Sequence, residues 1–303
     1  MDTTRLIDMI ESTWGLNENN IDSPYQLDQC SSDCQAVNRP DRPNPSNLGQ
    51  WRHGLDPAPV LILCGASFLT AGVSAVLGMA GGIMLLAIML LFLEPAIAIP
   101  IHALVQLTSN SSRSLIHARA VRGDLLWPYV LPLVPAGLLT VPLAQHLPGD
   151  LLRLAIGLFV LVATWRKSWL LLGLDPGRIP LQPRFALVGA GAGAIGPLVG
   201  ATGPFIAPFF LGIGLDRFEL IGTKAACQAA GHLAKIILFG LAGFAFLEFG
   251  WLTLAMAVCV VAGTWLGTHA LHRLDDDRFT QLYKWTLTLI ALRLLGSGLA
   301  SLV

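Results

Sequence analysis

Charge is scarce in this 303-residue sequence: Asp, Glu, Lys and Arg together make up 13% of it, about half the share of an ordinary soluble domain. A water-soluble fold of this length needs many more such residues to solvate its surface. The scarcity excludes that class and, with 54% hydrophobic residues and a mean hydropathy of +0.64, places the chain in a lipid bilayer. Cysteine is sparse too: Cys64, Cys227 and Cys259 lie inside apolar runs, which excludes a disulfide scaffold. Cys30 and Cys34, spaced C-x-x-x-C, have no second ligand pair to complete a metal site. Absent as well are G-x-S-x-G, H-E-x-x-H and a Walker-type loop, and with them serine hydrolases, zincins and P-loop ATPases. No cofactor, metal or nucleic-acid partner is expected. The first apolar run begins at residue 58 after an acidic start, so no signal peptide is read.

The charge that is present sits unevenly. Residues 1–57 hold nine acids against four arginines, leaving 15 basic and 10 acidic residues in the remainder. That basic excess hints at an anionic cargo, although cationic connectors kept on the cytoplasmic side explain most of it. Within the tail, Leu6, Ile7, Met9, Ile10 and Trp14 fall near one helical face, which predicts a short amphipathic helix at the membrane interface. A linker rich in Pro, Asn and Gly follows over 38–59.

From Ala58 to Leu93 there are 36 residues without a charge; as one helix they would span about 54 Å against a hydrocarbon core of about 30 Å. The run must break, and Gly78-Met-Ala-Gly-Gly82 is where. A nearly spanning helix precedes the break and a short piece follows, as in a re-entrant hairpin. Helices are then expected at about 96–118, 125–147 and 150–173. The same order recurs, with an uncharged run from Phe185 to Leu215 broken at Gly200-Ala-Thr-Gly-Pro204 and helices near 219–245, 249–271 and 280–302.

Adding 122 to positions 78–113 sets Gly78 on Gly200, Gly81 on Gly203, Glu94 on Asp216, Gln106 on Gln228, Asn110 on His232 and Arg113 on Lys235. Only six of the 36 positions are identical, so the duplication rests on glycines and polar residues that keep register. Three crossings after each hairpin is an odd number, which inverts one half relative to the other. The expected architecture is all-α, a polytopic membrane bundle of two inverted repeats, each a glycine-broken hairpin plus three helices. Residues 1–57 form the polar tail, 58–180 the first repeat and 181–303 the second. Arg119, Arg122, Arg166, Lys167, Arg178, Arg184, Arg217, Arg273 and Arg278 fall on one side, the expected cytoplasm. The opposite side keeps only the arginines of the tail, which places the tail outside.

Two helices concentrate polar groups that lipid would otherwise exclude. In the first, His102, Gln106, Asn110 and Arg113 are spaced 4, 4 and 3 and share an arc of about 80°. Lys224, Gln228, His232 and Lys235 repeat that spacing in the second. Amides and a histidine can also serve as glue between helices, and an arginine can snorkel. Two matching stripes with cations and amides but no carboxylate are what an anion site requires. The breaks add backbone N–H groups at a helix start within the membrane, where an oxyanion is stabilised. Gly81 and Gly82 open one short helix; Gly203, Pro204 and Phe205 open the other, with Pro204 suited to a first helical position. Cys227, beside Gln228, reads as a small core residue, and His269 with His272 as a solvated helix end.

The duplicated breaks, the polar helix after each, and the connector His117-Ala-Arg-Ala-Val-Arg-Gly-Asp124 together resemble the TauE/SafE sulfite and organosulfonate exporter family over about residues 58–303. The resemblance implies a multi-pass protein of the bacterial cytoplasmic membrane that exports sulfite, sulfoacetate or a related C2 sulfonate without hydrolysing ATP. It leaves open a coupling proton or ion and a homodimer. The sequence departs from the family pattern in two places: no proline follows the first glycine run before Pro95, and Pro204 replaces the last glycine of the second. Uptake of thiosulfate or sulfate is the alternative reading. An intramembrane enzyme with His102 or His232 as base lacks a nucleophile or metal set, and a scaffold would not need a cationic stripe in each half.

Overall fold

The computed structural model describes residues 57–77, 81–210, 212–270 and 276–301, and every regular element among them is helical. Residues 1–56, with the expected amphipathic helix and Cys30 and Cys34, lie outside the described residues, as do 78–80 of the first break and 271–275. The α-helices are α1 (Pro57–Leu77), α2 (Gly81–Met89), α3 (Pro95–Ile116), α4 (Gly123–His146), α5 (Gly149–Trp165), α6 (Leu181–Val199), α7 (Gly203–Ile206), α8 (Arg217–Leu241), α9 (Gly250–Ala270) and α10 (Asp276–Ala300).

Burial runs opposite to that of a soluble fold. Leu131 and Leu139 on α4 and Leu254 and Val258 on α9 are exposed, while Ser67, Thr70, Ser74, Gln106 and Asn110 are buried. A bilayer is the medium that rewards this arrangement. Among the described residues α1, α4, and α9 with the short turn before it are long and apolar enough to cross a membrane, and α5 with Lys167–Arg178 passes the same test only when the bent pair counts as one span. Exposed Trp127, Trp165, Trp251 and Trp265 sit near helix ends, as an aromatic belt would.

The helix expected over 150–173 is shorter than that. α5 stops at Trp165, where Arg166 leaves helical geometry at φ −132°, and the segment beyond turns through 111°. The adjacent cations Arg166 and Lys167 end the apolar run, and the chain bends instead of carrying them into hydrocarbon.

Glycines set which helices touch. α1 and α9 run parallel with backbones in contact: a Cβ at Gly267 would lie 2.5 Å from Gly72 O, and one at Gly263 would overlap Phe68 O. α4 and α6 also run parallel, with Gly189 against Tyr129 O and Gly193 against Leu133 O. Small residues permit this close approach where no hydrophobic force drives helices together. α3 and α8 run antiparallel, since His117 packs on Gly222 at one end and His102 meets His232 farther along. α5 and α10 do the same: Trp165 donates to Thr288 while Gly298 packs on Leu154.

These contacts define two ends. At one, Arg122 bonds Asp124 through two nitrogens, lies 3.9 Å from Glu219, and donates its backbone N–H to Thr223. The bond to Asp124 holds the Arg122 guanidinium above its ordinary range. Lys284 sits over Trp165 at the same end. At the other end Arg153 pairs with Glu94 and Asp150. Arg153 corrects the expectation that this side keeps only the arginines of the tail; two surface carboxylates satisfy it there.

Candidate functional site

α3 and α8 begin at fixed points, which sets the depth of their polar stripes. Pro95 occupies the first turn of α3, where its missing N–H costs nothing. α8 opens on a capping box in which Asp216 accepts from the Phe218 and Glu219 N–H groups and Glu219 accepts from the Asp216 N–H. From those starts the two stripes face each other. His102 and His232 meet edge to face with ring centroids 5.7 Å apart.

The breaks come to the same place. Gly82 and Gly203 lie against Gln106 and Gln228: a Cβ at Gly203 would be 2.7 Å from the Gln228 amide nitrogen, and one at Gly82 would be 3.3 Å from Gln106 Oε1. Gly200 takes a positive φ of 73°, and a Cβ there would be 2.6 Å from Leu86 of the first hairpin. Only glycine fits both demands.

Together these residues enclose a small cavity of about 20 Å³, lined by Gly82, His102, Gln106, Arg113, Gly203, Pro204, Lys224, Gln228 and His232. Of the thirteen residues singled out from sequence, the other four stand just behind it. Gly81 packs on Thr70 and Ser74 of α1. Asn110 donates to Gln106 O at 2.8 Å and accepts from Arg113 at 2.7 Å, which aims the guanidinium. Phe205 packs against Phe209 and fills the space beside Gly191. Lys235 donates to Gly200 O and so ties α8 to the second break.

Ser74, Ile83, Ala201 and Thr202 complete the lining. Sequence reasoning passed over them, although Ser67, Thr70 and Ser74 form a buried polar face of α1 at helical spacing. Ser74 matters through its backbone, because its carbonyl accepts from Arg113 at 3.2 Å.

The electrostatics are one-sided. Arg113, Lys224 and Lys235 are buried, and among the described residues no carboxylate pairs with any of them. No cluster of three or more His, Cys, Asp or Glu residues that could hold a metal occurs among the described residues.

The profile of the sulfite exporter TauE/SafE family matches residues 63–294, a span that contains both hairpins, both stripes and the whole cavity. The chain belongs to the TauE/SafE family. No curated protein and no solved structure matches it. As a TauE/SafE protein it is a multi-pass helical membrane protein of a transporter family, and the cavity is the place where its duplicated features converge.

Proposed function

We propose that this chain exports a small sulfur oxyanion, sulfite foremost, across the bacterial cytoplasmic membrane by alternating access. The anion is held between α3, α8 and the two breaks. The observation that carries this reading is the set of three buried cations without a carboxylate partner among the described residues. A cation at mid-membrane costs about 2.5–3.5 kcal/mol on insertion scales, and an oxyanion supplies the missing counter-charge. Gln106 and Gln228, which line the cavity, supply hydrogen bonds to it.

Two features support motion during the cycle. By the measure used for cavity waters, about 20 Å³ admits roughly one water, so the helices must part for an oxyanion to enter. The antiparallel runs of α3 against α8 and of α5 against α10, which are counterparts in the 122-residue register, support inverted repeats that rock about a shared site. The lining offers no carboxylate for an ammonium group, which favours sulfite over a zwitterion such as taurine.

A thermal-shift and calorimetric screen of the purified protein against sulfite, sulfate, thiosulfate, sulfoacetate and taurine tests the reading. Sulfite is expected to raise the melting temperature and to bind measurably, and taurine to do neither. If no anion in the set does so, the cavity is not an anion site.

A further inference from the structure

The cavity contains two imidazoles that its anion-binding role does not fully use. His102 is 1% and His232 3% exposed, and their rings are in contact across the α3–α8 interface. His102 Nε2 lies 2.8 Å from Gly82 O. A carbonyl can only accept, so this nitrogen carries the hydrogen and Nδ1 of His102 presents a lone pair. That Nδ1 is buried with no hydrogen-bond partner, as is Nδ1 of His232.

Two unpartnered imidazole nitrogens in one low-dielectric cavity are costly to keep unless something fills them during function. An anion beside them stabilises the protonated form of either ring. The basic groups around the pair are Arg113, Lys224 and Lys235, and no carboxylate lines the cavity to compete for the proton. Two imidazolium ions in ring contact repel, so the pair accepts at most one added proton.

We propose that His102 and His232 act as a single-proton acceptor that takes one proton from solvent for each anion bound, so that the anion crosses as a protonated unit. The inference rests on the cavity being the anion site and adds the coupled ion and its carrier. Arg113 keeps its charge throughout. A dianion with one proton still moves net negative charge, which an inside-negative potential drives outward.

The experiment is calorimetric titration of the purified, full-length protein with thiosulfate, whose own protonation lies far below neutral pH. It is run near pH 7 in two amine buffers of different ionisation enthalpy, because sulfonate and phosphate buffers would compete for the site. Wild type is expected to take up about one proton per thiosulfate. Its Kd should rise about tenfold per pH unit between the pH at which the free pair loses that proton and the higher pH at which the complex loses it, and level off above, the slope of a one-proton linkage. In His102→Gln/His232→Gln the thiosulfate binding that remains should be weaker than in wild type near pH 7 and free of proton uptake. Thiosulfate binding with no proton uptake in wild type overturns the coupling and leaves the anion site standing. Uptake that persists in the double variant assigns the proton to the lysines and overturns it as well. If neither thiosulfate nor sulfite binds wild type, the anion site itself is refuted. Should the double variant fail to fold, the buffer and pH series on wild type alone still decides whether binding is proton-linked.

Discussion

Gln106 and Gln228 each lean on a glycine where a hairpin turns back, so one amide touches both the cavity and the backbone that shapes it. Losing a hydrogen bond to a charged group costs about 1.5–3 kcal/mol, or roughly ten- to hundred-fold in affinity. Gln106→Ala and Gln228→Ala are each expected to weaken sulfite binding by that factor while leaving the melting temperature of the unliganded protein nearly unchanged. Calorimetry checks this, and affinities within about twofold of wild type in both variants would make the amides structural glue. Lys235 plays a different part from the one its place in the stripe suggests. It reaches Gly200 O and leaves the cavity wall to others. Lys235→Ala is expected to lower the transport rate in proteoliposomes more than it lowers affinity, because it unties α8 from the second break.

Among elements, the parallel pairs α1 with α9 and α4 with α6 depend on glycine at the crossing. Gly263→Ala and Gly189→Ala force a methyl into backbone atoms, and overpacking of this kind costs about 1–3 kcal/mol. Both variants are expected to melt at lower temperature in detergent. Gly65→Ala, with nothing within 4 Å of the added Cβ, is the control and should melt no lower than wild type.

Much of this scale was legible in the sequence. The 4, 4, 3 spacing of two polar stripes fixes which side chains share a face, and the length of the uncharged runs forces the breaks. What stayed hidden depends on reach and direction. A helical wheel puts Asn110 and Lys235 on the stripe but does not tell that one side chain bends back to Gln106 O while the other crosses to Gly200. The early stop of α5 was masked because Trp169, Leu170, Leu171 and Leu172 prolong an apolar pattern past two cations. The parallel crossings were hidden because a glycine in a membrane helix does not name its partner.

For the whole molecule, side is the property to test. With Arg122, Glu219, Trp165 and Lys284 gathered at one end and Glu94 with Arg153 at the other, the end with the basic connectors is the one expected to face the cytoplasm. A single cysteine placed at Arg119 or Arg178, in a background without native cysteines, is expected to react with an impermeant reagent only after cells are opened. A cysteine at Ser23, in the tail, should react in intact cells. The opposite pattern would reverse the orientation.

The pairing of α1 with α9 also has a consequence for how the protein is made. Phe68 and its contact Gly263 are separated by 195 residues, so at about 5–20 residues per second the ribosome needs roughly 10–40 s to deliver the partner. During that interval α1 waits in the bilayer or its insertion machinery without the helix that its Phe68 and Gly72 backbone meets. Thr70 meets the wait by donating to Ala66 O at 2.7 Å within its own helix, which spares lipid an unsatisfied hydroxyl. The contact that joins α1 to α9 therefore forms late during biogenesis, and a nascent chain released before residue 250 lacks the helix face on which Phe68 and Gly72 of α1 pack.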